Sequence, residues 1–253
     1  MSRFKLILEY DGTDFCGWQR QDNGPSVQQS LEKAIFDFSS ETTLVLGAGR
    51  TDSGVHALAQ VAHVDIEKHF DADSVRDAIN FYLKPLPIAV LSAEEVSTEF
   101  NARFSAKERA YLYRIHNRRP PPTLDKNQCW WVIPRLDVHE MNNAAQVLIG
   151  HHDFTTFRAV ACQAKSPLKT LDRLEVTREG HIVEIRVRAR SFLHHQVRNF
   201  AGTLKLVGEG KWEKADVEKA LAACDRTAGG PTAPPQGLFL TEVVYGNPHG
   251  SQS

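Results

Sequence analysis

The chain has 253 residues, a hydrophobic fraction of 42%, a charged fraction of 24% and a formal net charge of -1. This length allows one large domain or two small ones, each with a substantial core. No apolar segment approaches the roughly 20 residues that cross a bilayer, and a strand pattern close to the N-terminus leads us to expect no signal peptide. The four cysteines form no Cys-x-x-Cys pair, which argues against a zinc-thiolate site and a secreted disulfide framework. We therefore expect a cytoplasmic protein.

Basic residues are concentrated in two segments of the chain. Six lie between Arg103 and Arg119 against one acid, and eight lie between Lys165 and Arg198 against four acids. The segment 65–99 is acidic. Such segregation can present a basic face to a phosphate backbone. It can equally solvate the outer faces of strands, and composition does not decide between the two.

The first half of the chain alternates between strand-like and helix-like patterns. Apolar side chains alternate over residues 4–10, as in a half-buried strand. Ser26 is of a residue type that caps helices, and the apolar residues after it share one helical face. The predicted elements are a strand over 4–10, a helix over 27–38, strands over 43–46 and 60–66, a helix over 74–81 capped by Asp73, and a strand over 88–96.

The second half repeats this order. The sequence Glu179-Gly180 separates two strand-like segments as in a hairpin, and Gly150 is suited to end a helix. The predicted elements are a strand over 110–117, a helix over 141–149, strands over 171–178 and 182–189, helices over 194–207 and 216–224, and a strand over 238–245.

Two β-α-β-β-α-β units in tandem predict an α+β fold of two ferredoxin-like sheets flanked by helices. We expect an N-terminal domain over 1–106, a C-terminal domain over 107–246 and a disordered tail over 247–253. Two such sheets side by side would leave a cleft between the halves, which is a common place for a functional site.

The run Gly49-Arg50-Thr51-Asp52-Ser53-Gly54-Val55-His56-Ala57, here the signature loop, puts an acid and a base between two strand-like segments. Loops held by rigid strands often carry catalytic groups. Asp and Gly are also ordinary turn formers. From these residues alone, Asp52 is either a chemical group or a turn residue.

The signature loop resembles that of the TruA family of tRNA pseudouridine synthases, in which the Asp is catalytic. Five further segments, one before the signature loop and four after it, resemble segments of the family and occur in the family's order. The resemblance therefore extends over residues 4–245. The five segments are Tyr10-Asp11-Gly12 with Gly17-Trp18-Gln19, Asn101-Ala102-Arg103-Phe104 with Tyr111-Leu112-Tyr113, Asp153-Phe154-Thr155 with Phe157-Arg158, Phe192-Leu193-His194-His195-Gln196-Val197-Arg198-Asn199, and Gly237-Leu238-Phe239-Leu240.

The resemblance implies the pseudouridine synthase fold and the isomerisation of uridine to pseudouridine in the anticodon stem-loop of tRNA, at tRNA positions 38–40. It also implies a homodimer in which each tRNA touches both subunits, with no metal and no organic cofactor. Asp52 matches the catalytic aspartate. A carboxylate can act as a nucleophile or as a base, and the sequence does not choose between these roles.

The resemblance also assigns the other site residues. Arg198 matches the arginine that pairs with the catalytic aspartate, and Arg50 matches the arginine that holds the RNA around the extruded nucleotide. Tyr111 matches the tyrosine that stacks on the target uracil. Leu238 and Phe239 match part of the wall of the uracil pocket. Each of the five also has an ordinary structural alternative: a core position for Tyr111, Leu238 and Phe239, and a surface or ion-pair position for Arg50 and Arg198.

Four other interpretations fit the sequence less well. The histidines lack the convergent spacing of zinc ligands, and no nucleotide-binding glycine loop is present. A non-catalytic RNA-binding or RNA-folding protein on the same sheets would not need an ionised acid in a basic cleft. A glycoside hydrolase usually presents two carboxylates, whereas the signature loop offers only Asp52.

Overall fold

A computed structural model describes residues 1–22 and 24–246, and the tail predicted at 247–253 lies outside them. In the described part, ten strands and five α-helices give the α+β class that the sequence predicts. The strands are β1 Ser2–Tyr10, β2 Leu46–Gly47, β3 His56–Ile66, β4 Ile88–Val96, β5 Ala106–Asn117, β6 Trp130–Val132, β7 Gly150–Asp153, β8 Leu168–Glu179, β9 Ile182–Ala189 and β10 Leu238–Tyr245. The helices are α1 Val27–Ser39, α2 Ala72–Leu83, α3 Val138–Ala145, α4 Gln196–Gly208 and α5 Lys214–Ala223.

The chain divides into two compact units. The first unit contains residues 1–107 together with the chain from Phe239 onward, and the second contains residues 108–238. The domains predicted from the sequence were 1–106 and 107–246. The observed division instead assigns all but the first residue of β10 to the first unit. None of the helices among the described residues is long and apolar enough to span a membrane.

The sheet of the first unit is built around β1 and β3. β1 pairs antiparallel with β3 on one side and with β4 on the other. β2 pairs antiparallel with β3 at Leu46–His63, and β10 pairs parallel with the start of β3, with Phe239 opposite His56. The order β4-β1-β3, with β2 at the edge of β3 and helices α1 and α2 between the strands in sequence, is that of one βαββαβ unit.

Several of the predicted elements of the first unit have other bounds in the structure. Strand β3 begins at His56, four residues before the predicted strand 60–66. A strand was predicted over 43–46, but the observed strand β2 contains only Leu46 and Gly47. The chain before it does not join the sheet, because the main chain of Val45 binds side chains of α1. Its N–H donates to Glu32 Oε1 at 3.2 Å, and its carbonyl accepts from Gln28 Nε2 at 3.1 Å. Helix α2 begins earlier than predicted, since its cap is Asp71 rather than Asp73.

The second unit has the strand order β5-β9-β8-β7, in which each pair of neighbours is antiparallel. The short strands β6 and β7 were not predicted, and Gly150, expected only to end a helix, is the first residue of β7. Helix α4 begins at Gln196, two residues later than predicted, because His195 has a left-handed backbone with φ of 63°. Such a residue cannot continue a right-handed helix.

Each unit has its own apolar core. In the first unit, Phe4, Leu6 and Leu8 of β1 are fully buried, which confirms that the alternating side chains of this strand face a core. In the second unit, the rings of Phe154, Phe157 and Phe200 lie 5.1–6.3 Å apart. These cores fix the strands and helices from which the loops of the candidate site project.

Candidate active site

The signature loop connects β2 to β3 and closes on itself through main-chain contacts. The side-chain amide of Gln60 on β3 donates to the carbonyl of Gly49 at 2.9 Å. The N–H of Val55 donates to the carbonyl of Asp52 at 3.1 Å. Gly54, with φ of 75°, supplies the left-handed residue in this turn. Asp52 therefore lies at the turn of a loop whose two ends are both tied to β3.

Side-chain exposure alternates through the centre of the signature loop. Arg50 is exposed, Thr51 is buried and Asp52 is half-buried. The next residue, Ser53, donates its hydroxyl to the carbonyl of Phe15 at 3.2 Å. This arrangement anchors the loop through Thr51 and Ser53, while the base Arg50 stays exposed and the acid Asp52 stays partly exposed.

A second loop, residues 11–18 after β1, packs directly on the main chain of the signature loop. The N–H of Trp18 donates to the carbonyl of Thr51 at 3.0 Å. A Cβ at Gly17 would lie 2.5 Å from that same carbonyl oxygen, and a Cβ at Gly12 would lie 2.0 Å from the carbonyl oxygen of Val55. Any side chain at these glycines would push the two loops apart.

His56 joins the end of the signature loop to β10. It is 1% exposed, its ring stacks on Phe239 with 4.8 Å between centroids, and its Nδ1 accepts from the N–H of Gly12 at 3.0 Å. Asp11 Oδ1 also lies 3.1 Å from this nitrogen. That oxygen also accepts from the N–H of Thr13 at 2.9 Å, so Asp11, Gly12 and His56 lie in one group of polar contacts at the end of the signature loop.

In the second unit, two tyrosines of β5 have different surroundings. Tyr111 is half-buried, and its ring meets that of Phe192 edge to face at 5.1 Å. Tyr113 is fully buried and donates its hydroxyl to the carbonyl of Pro234 at 2.7 Å. Burial raises the pKa of the Tyr113 hydroxyl well above its ordinary value. Tyr113 is therefore a core residue, whereas Tyr111 is partly exposed.

Arg198 lies in the first turns of α4 and is fixed by the segment that precedes β10. Its Nε donates to the carbonyl of Ala233 at 2.7 Å, and the N–H of Ala233 donates back to the carbonyl of Arg198 at 3.1 Å. Asn199 beside it binds the hydroxyl of Thr232 at 2.7 Å. A Cβ at Gly202 would lie 1.7 Å from the carbonyl oxygen of Pro231. The helix and the segment thus pack main chain against main chain, and Arg198 has a defined orientation within the second unit.

The residues proposed from the sequence are divided between the two units. Within the first unit, the pairing of β10 with β3 places Phe239 beside the last part of the signature loop. Sequence reasoning gave no role to three buried residues that hold this loop, Tyr10, His56 and Gln60. Tyr10 and His56 nevertheless stand in segments that resemble the family. Of the residues proposed from the sequence, the first unit contains Arg50, Asp52 and Phe239, and the second contains Tyr111, Arg198 and Leu238.

The α+β fold and a single accessible aspartate on a glycine-bounded loop are features of the pseudouridine synthase class. A family model described as tRNA pseudouridine synthase matches residues 6–105 and 144–246. Among curated relatives, the tRNA pseudouridine synthase A of Rhodospirillum centenum is 61% identical over 245 residues, covering 97% of this chain and 100% of that protein. That of Paramagnetospirillum magneticum is 60% identical, covering 97% of this chain and 96% of its own.

The chain belongs to the TruA family of tRNA pseudouridine synthases. The family predicted from the six sequence segments is confirmed. So are the expected class of enzyme, an isomerase, and the expected substrate class, tRNA.

Proposed function

We propose that this enzyme converts uridine to pseudouridine at positions 38–40 in the anticodon stem-loop of tRNA, in the cytoplasm where tRNA is found, and that Asp52 reacts with the target nucleoside. The observation that carries the proposal is the half-buried Asp52 at the turn of a loop that β3 and the 11–18 loop hold from both sides. A preorganised reactive group of this kind lowers the entropic cost of reaching the transition state.

The isomerisation leaves the elemental composition of the nucleoside unchanged. The C1′–N1 bond breaks, the uracil turns, C5 bonds to C1′, and the C5 hydrogen leaves as a proton while N1 gains one. A carboxylate can serve as the nucleophile or remove the proton. In this proposal Arg198 pairs with Asp52 during the reaction, because a guanidinium favours the charged form of a carboxylate. Its hydrogen bonds to Ala233 support a fixed orientation for this task.

Arg50 acts on the RNA rather than on the reacting atoms. A uridine inside a stem must leave the base stack before its glycosidic bond can be reached, and unstacking costs a few kcal/mol. The exposed Arg50, two residues before Asp52, holds the RNA around the extruded nucleotide and offsets part of this cost.

The uracil is held by apolar and aromatic contacts. Tyr111 stacks on the base, a contact worth about 1–3 kcal/mol by alanine substitution in other proteins. Its edge-to-face contact with Phe192 supports this role, because the contact limits rotation of the ring. Leu238 and Phe239, 6% and 3% exposed, form part of the pocket wall.

The activity is tested with tRNA that carries tritium at C5 of uracil. Because the new bond forms at C5, each turnover must release one tritium to water, and nucleotide mapping of the product should place pseudouridine at positions 38–40. Asp52→Ala should abolish release. Absence of release by the wild type, or undiminished release by Asp52→Ala, would contradict the proposal.

The roles of the two arginines are tested by comparing turnover with RNA affinity. Arg50→Ala and Arg198→Ala should each lower kcat by roughly 10-fold or more, as expected for groups that act in catalysis, with a smaller change in the Kd for tRNA. Arg135→Ala, at an exposed position in the second unit, is the matched control and should change neither quantity. A loss of affinity with kcat preserved would make Arg50 or Arg198 an ordinary phosphate contact.

We further propose that the enzyme acts as a homodimer in which each tRNA touches both subunits. The proposal rests on the family resemblance and on the net charge of -1, because two basic faces combined across one RNA would release more counterions than a single face. Light scattering after gel filtration at micromolar concentration should give about twice the 28.3 kDa of one chain. The mass of a single chain would contradict it.

A further inference from the structure

Tyr10, the last residue of β1, contacts the signature loop at two separate points. Its hydroxyl lies 2.8 Å from the hydroxyl of Thr51, and the two share a hydrogen bond. Its main chain pairs with Ala57, where the signature loop ends. Tyr10 is 4% exposed and Thr51 is 6% exposed. One tyrosine therefore bridges the residue before Asp52 and the far end of the same loop.

Thr51 is held on its main chain as well as on its side chain. Its carbonyl accepts from the N–H of Trp18 at 3.0 Å, while its hydroxyl binds Tyr10. The ring centroids of Tyr10 and Trp18 lie 6.3 Å apart. The two residues that bind Thr51 are therefore neighbours of each other. The Thr51 carbonyl belongs to the peptide that joins Thr51 to Asp52, so rotating this peptide breaks the hydrogen bond to Trp18. Turning the Thr51 side chain breaks the one to Tyr10.

We propose that Tyr10 is a positioning residue for the isomerisation and acts on Asp52 through Thr51. The inference rests on the proposed role of Asp52 in the reaction. A hydrogen bond between two buried hydroxyls is strengthened by the low local dielectric, and breaking it leaves a buried polar group unsatisfied. Without the Tyr10 hydroxyl, Thr51 can turn, and the carboxylate of the next residue moves away from its reactive position.

The test removes one oxygen at a time. Tyr10→Phe and Thr51→Val keep the shape of each side chain, so they should lower the single-turnover rate of tritium release at saturating tRNA by roughly tenfold, the scale expected when a reactive group is slightly misplaced. The KM for tRNA should stay within about twofold, because neither hydroxyl is exposed to bind RNA. Thr51→Ser keeps the hydroxyl and should restore most of the rate.

Tyr245→Phe is the matched control. It deletes another tyrosine hydroxyl of the first unit, which donates to the carbonyl of Ala102 at 2.7 Å and not to a residue of the signature loop. It should lower thermal stability about as much as Tyr10→Phe, since each variant loses one internal hydrogen bond, and it should leave the rate unchanged. The double variant Tyr10→Phe/Thr51→Val should be no slower than either single variant, because both remove the same hydrogen bond.

The outcomes separate this inference from the proposed function. If Tyr10→Phe and Thr51→Val lose stability but keep the wild-type rate, as Tyr245→Phe should, then Tyr10 is only structural and the inference is wrong. If Asp52→Asn, measured in parallel, keeps the wild-type rate, the role of Asp52 itself fails. An inactive Asp52→Asn beside a fully active Tyr10→Phe would overturn only the role of Tyr10.

Discussion

The main chain of the signature loop lies against the main chain of the 11–18 loop, and this close approach is possible only because Gly12 and Gly17 lack side chains. A Cβ at either glycine would lie 2.0–2.5 Å from a carbonyl oxygen of the signature loop, well inside any normal contact distance. The hydrogen bond from Trp18 to Thr51 and the buried hydroxyl pair of Tyr10 and Thr51 both depend on this approach. The orientation of Asp52 therefore depends on it as well.

The same kind of contact recurs where Arg198 is fixed. Gly202 on α4 allows the carbonyl of Pro231 to approach the helix, and the reciprocal hydrogen bonds of Arg198 and Ala233 follow from that approach. In both units a glycine permits tight backbone packing, and the packing orients a charged side chain. Rigid positioning of charge is the main way in which a protein stabilises a transition state without a cofactor.

Most of the fold could be predicted from local patterns, because the alternating and helical periods reflect which side chains face a core. The exceptions have non-local or backbone causes. The strand expected at 43–46 is mostly replaced by side-chain contacts from α1 to Val45. The start of α4 is set by the left-handed backbone of His195, which no periodicity reveals. The strands β6 and β7, of 3 and 4 residues, are too short to produce a pattern.

The candidate site was predicted by resemblance, and its supports were not. Asp52 stood in a recognisable run, whereas the function of Tyr10 depends on a partner 41 positions away and that of His56 on a glycine 44 positions away. Pairings over such distances are set by the register of β1 on β3, which a single sequence does not contain. For this reason the sequence pointed to Asp52 as the candidate reacting group but not to the residues that hold its loop.

We propose that the signature loop fixes the position of the Asp52 carboxylate and not merely its charge. The most direct test is the single-turnover rate of Asp52→Glu on a stem-loop RNA, measured with the Kd for that RNA. Glutamate keeps the charge and moves it by one methylene, so the rate should fall on the order of 100-fold, as misplacement by about 1 Å can cause, while the Kd stays the same. A variant that reacts nearly as fast as the wild type would contradict the claim.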